Sequence, residues 1–474
     1  MKKFLIFGIL FLSACSAYGQ ALRFSNRRQP GVPEYAAIRL GPFYSDITFS
    51  QSVGYRYTRT TGTGTEFLFD NDRTEIDEDG SEFPLITELE MRNYLLISRH
   101  ADLDISLALA YEQYPLGTQD DEFFLRLPEE GIFGNFSTAL EITPFLRVTL
   151  YDNISYETDY IDTRGITDRY GGRDYEHFQN VIGFRSDWKL SRNQNLGVDV
   201  SRTDVIPADD EFDDQERITY SESLIYEYQL IEELLVGGDA TFSQTDYTDS
   251  DRDDTSINDF RVFLRGAKGA GIPITDVTTF SASVGYAYAV DSSSEDERDD
   301  ETSSLSGEAR IETQLRQDLR HSLTYARGIR RGFTYDFEEY SSLNYAIQWS
   351  GERESVSFFA EYSESSPTGD DVNSYSDMSY GLSAVRDVLP YLDVFASTTY
   401  SIRNNDDLDE PGAVPVEWVN DYDTWVTRIG SRVDVVRSVD LEMYAQHVER
   451  FSDSDLLAYE RDIIAANLTF SYRF

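Results

Sequence analysis

Along most of this chain, apolar and polar residues take turns at single-residue spacing. Ile105, Leu107, Leu109 and Tyr111 alternate with Asp104, Ser106, Ala108 and Ala110. Phe280, Ala282, Val284, Tyr286 and Tyr288 alternate with Ser281, Ser283, Gly285 and Ala287, and Val356, Phe358, Ala360 and Tyr362 with Ser357, Phe359, Glu361 and Ser363. Leu392, Val394, Ala396 and Tyr400 alternate with Asp393, Ser397, Thr399 and Ser401. The final segment puts Ile464, Ala466, Leu468, Phe470, Tyr472 and Phe474 on one face, and Asn467, Thr469, Ser471 and Arg473 on the other. Period two with aromatic and β-branched enrichment predicts strands with one apolar face.

The connections are of two kinds, and they too take turns. Short ones with little acid include Thr143-Pro144, Ser191-Arg192-Asn193, Arg316-Gln317-Asp318, Gly351-Glu352-Arg353 and Arg437-Ser438-Val439. Long acidic ones cover residues 61–81, 118–130, 208–215, 246–254, 292–301 and 404–412. Hairpins are expected between 85–97 and 103–114, 174–188 and 196–204, and 372–385 and 392–403. This pattern predicts an all-β fold: a single transmembrane, antiparallel, up-and-down barrel of about 20 strands (roughly 18–20), with short periplasmic turns and long acidic extracellular loops. An array of soluble sandwiches or a propeller also alternates. Neither accounts for acid gathered in every second connection, nor for Tyr55, Tyr57, Trp188, Tyr226, Tyr228, Trp349 and Trp425 near strand ends, where interfacial girdles lie.

The N-terminus reads as an export signal. Lys2 and Lys3 precede a short apolar run from Phe4 to Leu12, too short to span a bilayer. Ala17-Tyr18-Gly19 is a small-x-small cleavage site, whereas Leu12-Ser13-Ala14-Cys15 resembles a lipobox that would leave Cys15 lipidated. The expected division is a signal peptide over 1–19, a short periplasmic segment over 20–43 and the barrel over 44–474. No later apolar run reaches the ~18 residues of a membrane helix, as a barrel of alternating strands requires.

Charge narrows the partners. A net charge of −45 and a pI near 4.3 repel nucleic-acid phosphates, so no nucleic-acid binding is expected. An aromatic content of 14% is unlike disordered acidic chains. Cys15 is the sole cysteine, and His100, His177, His321 and His447 lack metal-ligand spacing, so no cofactor or metal is expected. An enzymatic barrel would draw on His177 near Asp174, or His447 near Glu449, but neither partnership is fixed by sequence and no Gly-x-Ser-x-Gly elbow occurs. The expectation is a protein without catalytic residues.

If the apolar parity meets lipid, the polar parity lines the interior. The candidate lumen residues are Glu88, Glu90, Arg92, Arg147, Asp199, Arg261, Arg265, Glu308, Arg310, Glu361, Arg428 and Arg432, set among hydroxyl and amide side chains such as Ser281, Ser283, Thr399, Ser401, Asn467 and Thr469. Roughly 16 strands already enclose water, so about 20 predict a wide aqueous lumen. Mixed charge predicts weakly selective passage of small polar solutes. Residues 249–254 and 295–301 offer carboxylates for weak divalent-cation binding. The first of these fails as an EF-hand, with Asp254 at the glycine position and Phe260 at the glutamate position.

Two resemblances extend this reading. Phe470-Ser471-Tyr472-Arg473-Phe474 resembles the C-terminal signal of outer-membrane barrels, which implies Phe470, Tyr472 and Phe474 as the contact with the barrel-assembly machinery. Leu40-Gly41-Pro42-Phe43, leading into Ile47-Thr48-Phe49-Ser50-Gln51-Ser52-Val53-Gly54-Tyr55, resembles the opening of the porin 2-like family of Gram-negative outer-membrane barrels. The Leu-x-Val strand starts Leu196-Gly197-Val198 and Leu392-Asp393-Val394 are similar to that family's hairpins. An Asp-Asn pair expected at the end of the first strand is replaced by Arg56-Tyr57-Thr58-Arg59, and the nearest strand-borne pair is Asp152-Asn153. The resemblance implies the fold and residence in the outer membrane rather than a substrate; passive diffusion of small polar solutes, with lipid and lipopolysaccharide as neighbours, is the expectation that the barrel itself gives. Polysaccharide export or surface interaction stays open as an alternative.

Overall fold

A computed structural model describes residues 38–62, 76–98, 100–113, 122–124, 132–160, 174–208, 210–248, 254–266, 271–292, 301–331, 337–367, 374–405, 422–436, 438–452 and 458–473. The expected signal peptide over 1–19 with Cys15, most of the expected 20–43 segment, and Phe474 lie outside these residues, as do 249–253 and 295–300.

Twenty strands form one closed antiparallel barrel. They are β1 Phe43–Gly62, β2 Leu85–Ser98, β3 Ala101–Gln113, β4 Ile132–Thr143, β5 Leu146–Tyr160, β6 Asp174–Lys189 and β7 Gln194–Pro207. Then come β8 Arg217–Ile231, β9 Leu234–Tyr247, β10 Asp254–Gly266, β11 Thr278–Ser292, β12 Glu301–Arg316, β13 Leu319–Arg330 and β14 Glu338–Ser350. The last six are β15 Glu354–Pro367, β16 Tyr375–Leu389, β17 Leu392–Asn405, β18 Tyr422–Val436, β19 Val439–Ser452 and β20 Tyr459–Arg473. Each strand pairs with its sequence neighbours, and β20 pairs with β1 from Thr48↔Arg473 to Gly62↔Tyr459. Closure leaves no edge strand with unpaired amides. Short strands at Ile38–Leu40, Ile76–Glu82, Glu122–Phe124 and Ile272–Pro273 add to the wall, and the only helical turn among the described residues is the 3₁₀ segment Asp210–Gln215.

Short turns gather at one end of the cylinder and long connections at the other. The turns Pro144-Phe145, Glu232-Glu233, Gln317-Asp318 and Pro390-Tyr391 each follow a register shift, at Glu141/Thr143, Gln229/Ile231, Gln314/Arg316 and Asp387/Leu389. The extra residue supplies local twist, which a two-residue turn without glycine or asparagine does not supply. The connection over residues 267–277 is the long exception at this end.

Residues directly opposite in a sheet share a face, so register carries one parity round the cylinder. One row runs Leu224, Ala240, Phe260, Tyr286, Leu305; the adjacent row runs Ile225, Asp239, Arg261, Gly285, Ser306. Most large exposed apolar side chains, Leu224, Phe260, Tyr286 and Leu305 among them, fall on the first parity. Most of the shielded ones, including Ala108, Ala139, Val181, Ile225, Phe263, Ala287, Glu227, Thr245, Arg403 and Ala465, fall on the second; Asp152 and Ile154 on β5 are buried on the first. Side chains converge on the concave face of a cylinder and diverge on the convex one. The polar parity is therefore the inner face.

Several inner aromatic rings lie flat over a glycine directly across the ladder. Tyr151 faces Gly183, Phe359 faces Gly381 and Phe395 faces Gly430. A Cβ on these glycines would stand within 2.3, 1.9 and 2.5 Å of those rings, far inside contact distance. Each missing side chain is thus the ring's seat against the wall.

Candidate functional site

The inner wall is where the chemistry of this chain concentrates. All twelve expected lumen residues share its parity, but the structure spreads them round the circumference and gives most of them a partner. Glu90 accepts from Arg92 at 2.5 Å on β2. Arg261 on β10 pairs with Asp259 at 2.8 Å and Asp239 at 3.6 Å. Arg265 pairs with the buried Glu227. Arg310 reaches Glu312 at 3.1 Å. Arg428 and Arg432 share the two oxygens of Glu442, at 2.8 and 2.9 Å. Arg428 also stacks over Tyr444, 3.9 Å from the ring centroid. Arg147 stands between Glu141 and Asp187 in register.

The remaining carboxylates meet neutral donors. Ser50 donates to Glu88 at 2.7 Å, the Tyr151 hydroxyl donates to Asp199, which also stands directly opposite Arg185, and Asn344 lies 3.5 Å from Glu361. Glu308 donates its backbone amide to Ser283 Oγ at 3.1 Å. Sequence reasoning missed Glu227, Asp239, Asp259, Glu442 and Tyr151, although the same alternation puts them on the same face. What a single sequence lacks is the register that brings partners from different strands together.

Hydroxyl ladders fill the wall between the charges. Thr219 and Thr245 share a bond of 2.7 Å, Ser223 and Thr241 one of 3.1 Å, and Ser379 and Ser401 one of 2.9 Å. At the long-loop end this wall is overlain. Arg331, the residue after β13, donates to Thr219 Oγ1 on β8 at 3.4 Å and to Thr255 Oγ1 on β10 at 3.3 Å. Thr219, Thr245 and Thr255 form one inner row. Four strands separate β13 from β8, so the guanidinium reaches its partners as a chord across the opening. Phe212 in the 3₁₀ turn and Phe337 at the start of β14 are almost wholly buried at the same end. Chain from two loops thus packs at this mouth.

The outer face has two zones. Towards the short turns it is apolar and aromatic, with Trp188, Tyr226 and Tyr228 exposed near the strand ends. Towards the long loops it becomes charged. The Arg202–Asp204 pair at 2.7 Å, Glu222, Glu449, Glu460 and Asp462 all carry the outward parity there. Of the two histidines weighed for catalysis, His177 faces inward and is buried, while His447 faces outward, so they form no common site. No helix among the described residues is long and apolar enough to cross a membrane.

No protein-family model and no curated protein matches this chain. Among solved structures it is similar to the copper transporter OprC, at 12% identity over 92% of this chain and 81% of that one, with a TM-score of 0.49. It is similar to the FrpB iron transporter from Neisseria meningitidis, at 9% identity, 89% and 82% coverage and a TM-score of 0.48. A third is Pseudomonas aeruginosa OccK5, at 10% identity, 90% and 98% coverage and a TM-score of 0.40.

Proposed function

We propose that this chain is an outer-membrane channel for passive diffusion of small polar solutes. The separation of the two faces carries the reading. An exposed apolar belt of this extent demands hydrocarbon around it. A wall of paired charges and hydroxyls demands water within. A twenty-stranded cylinder is wide enough for an aqueous path, and diffusion along it requires no bond-making residue and no cofactor. The N-terminal signal would deliver the chain across the inner membrane. The short turns would face the periplasm and the acidic loops the outside, among lipopolysaccharide. The residues expected at the C-terminal signal, Phe470 and Tyr472, are exposed on the lipid parity.

The twelve lumen candidates would then set the field along the path. Because most arginines are neutralised locally while Glu88 and Glu361 meet neutral donors, the path would favour cations modestly. Reconstitution into planar bilayers tests the proposal. Open steps that persist without applied ligand support it. A folded, inserted barrel that stays silent overturns it, and points to export or surface interaction.

A further inference from the structure

On the outer face, just above the apolar belt, β19 and β20 bring together an imidazole and three carboxylates. His447 lies directly opposite Asp462, and Glu449 opposite Glu460. All four carry the parity of Ile464 and Phe470, so they project away from the pore. His447 Nδ1 is 2.8 Å from Asp462 Oδ1, and one ligand atom each from His447, Glu460 and Asp462 all lie within 4.8 Å of one another. The other ring nitrogen, Nε2, points to Glu449 at 3.7 Å. Metal-bound histidines take this arrangement: one nitrogen turned to the ion and its partner ligands, the other held by an outer carboxylate that fixes ring orientation and raises basicity.

We propose that His447, Glu460 and Asp462 form a divalent metal site on the outer wall, with Glu449 as the positioning residue. One imidazole nitrogen and two carboxylate oxygens select a first-row ion such as Zn²⁺ over Mg²⁺ or Ca²⁺, which take all-oxygen sets. The ion would replace the proton now shared between Nδ1 and Asp462. It would also relieve the repulsion of Glu449 and Glu460, like charges set directly across a ladder, where they destabilise pairing. Arg59 stands opposite Asp462 on the other side, and it offsets part of the charge without supplying a ligand. The open coordination positions face outward, at the level where anionic headgroups of the outer leaflet lie, so a bound ion could take a phosphate oxygen there.

The test uses the full-length folded barrel in detergent, stripped with chelator and titrated calorimetrically with Zn²⁺ alone. One ion per chain is expected, with at least about tenfold weaker binding in His447→Ala, Asp462→Asn and Glu460→Gln. Glu449→Gln should weaken binding but retain the stoichiometry, and Arg59→Gln should tighten it. Zinc-edge X-ray absorption should report one nitrogen and at least two oxygen neighbours from the protein. Absence of a stoichiometric site in the wild type, a preference for Mg²⁺ over Zn²⁺, or unchanged binding in the isosteric Asp462→Asn variant would each overturn the proposal. Pore conductance plays no part in these readouts, so the channel reading stands or falls separately.

Discussion

Ser52 and Thr469 stand 417 residues apart in sequence, and their hydroxyls share a hydrogen bond of 2.8 Å. That bond lies on the seam where β20 meets β1. The hydroxyl pair itself contributes only about 1 kcal/mol, so Ser52→Ala should leave the barrel folded. Closure resides in the backbone ladder. Because Cys15 is the sole cysteine, a Ser52→Cys, Thr469→Cys variant gives a clean test, directly opposite positions in a ladder being close enough to bridge. Mild oxidation should cross-link the two ends of the chain intramolecularly, changing mobility on denaturing gels. Failure to form that bridge in folded protein would mean the sheet is open.

The seating of Phe359 over Gly381 predicts coupled mutational effects. Gly381→Val forces a branched side chain into the ring and should destabilise by about 1–3 kcal/mol in urea unfolding. Phe359→Ala alone should also destabilise, since it uncovers the glycine backbone and loses ring contacts. In the double variant the two costs should fall short of their sum, because removing the ring makes room for valine. Simple additivity would show that ring and glycine are not packed as one unit.

Much of this architecture is readable from alternation alone. The run Ile464 to Tyr472 announces a strand with one lipid face, and the contrast between 191–193 and 208–215 announces which end is which. The inner parity of Glu88, Arg261 and Arg428 follows from the same two-residue period. The partnerships do not. Arg428 finds Glu442 because a bulge at Asp434/Val436 sets the register of β18 on β19, and no local signal reports that shift. The reach of Arg331 is less legible still, since its partners lie 112 and 76 residues earlier in sequence. His447 and Asp462 likewise meet only through register.

Arg331 should limit the mouth. Its guanidinium spans from β13 to β8 and β10, so Arg331→Ala frees the chord and should raise single-channel conductance while leaving the folded fraction intact. Thr219→Val with Thr255→Val, which removes both acceptors but little volume, should act in the same direction. Conductance unchanged in both variants would show that the loop origin does not stand in the path.

At the short turns, the Trp349 indole donates to Asp318 Oδ2 at 2.9 Å. This hydrogen bond, aided by Arg316, holds the turn carboxylate below its ordinary value of 3.8. The ionised form is the one the fold favours. Its contribution is therefore present above the unfolded value and is lost as pH falls through the lower folded value. Trp349 emission in membrane-inserted protein, taken as the difference from Trp349→Phe, should titrate with a midpoint under 3.8, and Asp318→Asn should abolish the transition. A midpoint at or above the ordinary value would contradict the contact.

The inner wall makes a directional statement about selectivity. Arg92, Arg261, Arg265, Arg310, Arg428 and Arg432 each face a carboxylate within ion-pair reach, so their fields cancel at short range. Glu88 and Glu361 instead meet Ser50 and Asn344, neutral groups that steady a carboxylate without offsetting its charge, whereas Asp199, bonded to Tyr151, also faces Arg185 across the ladder. In a water-filled lumen these charges act over about a Debye length, ~10 Å at 0.1 M salt, so the bias is modest and fades at high ionic strength. Under a salt gradient the wild-type reversal potential should show cation preference. Glu88→Gln and Glu361→Gln together should move it towards zero, whereas Arg428→Gln, which leaves Glu442 to Arg432, should move it far less. An anion-preferring wild type, or a double variant with the same reversal potential, would mean that the permeating ions do not sample this wall.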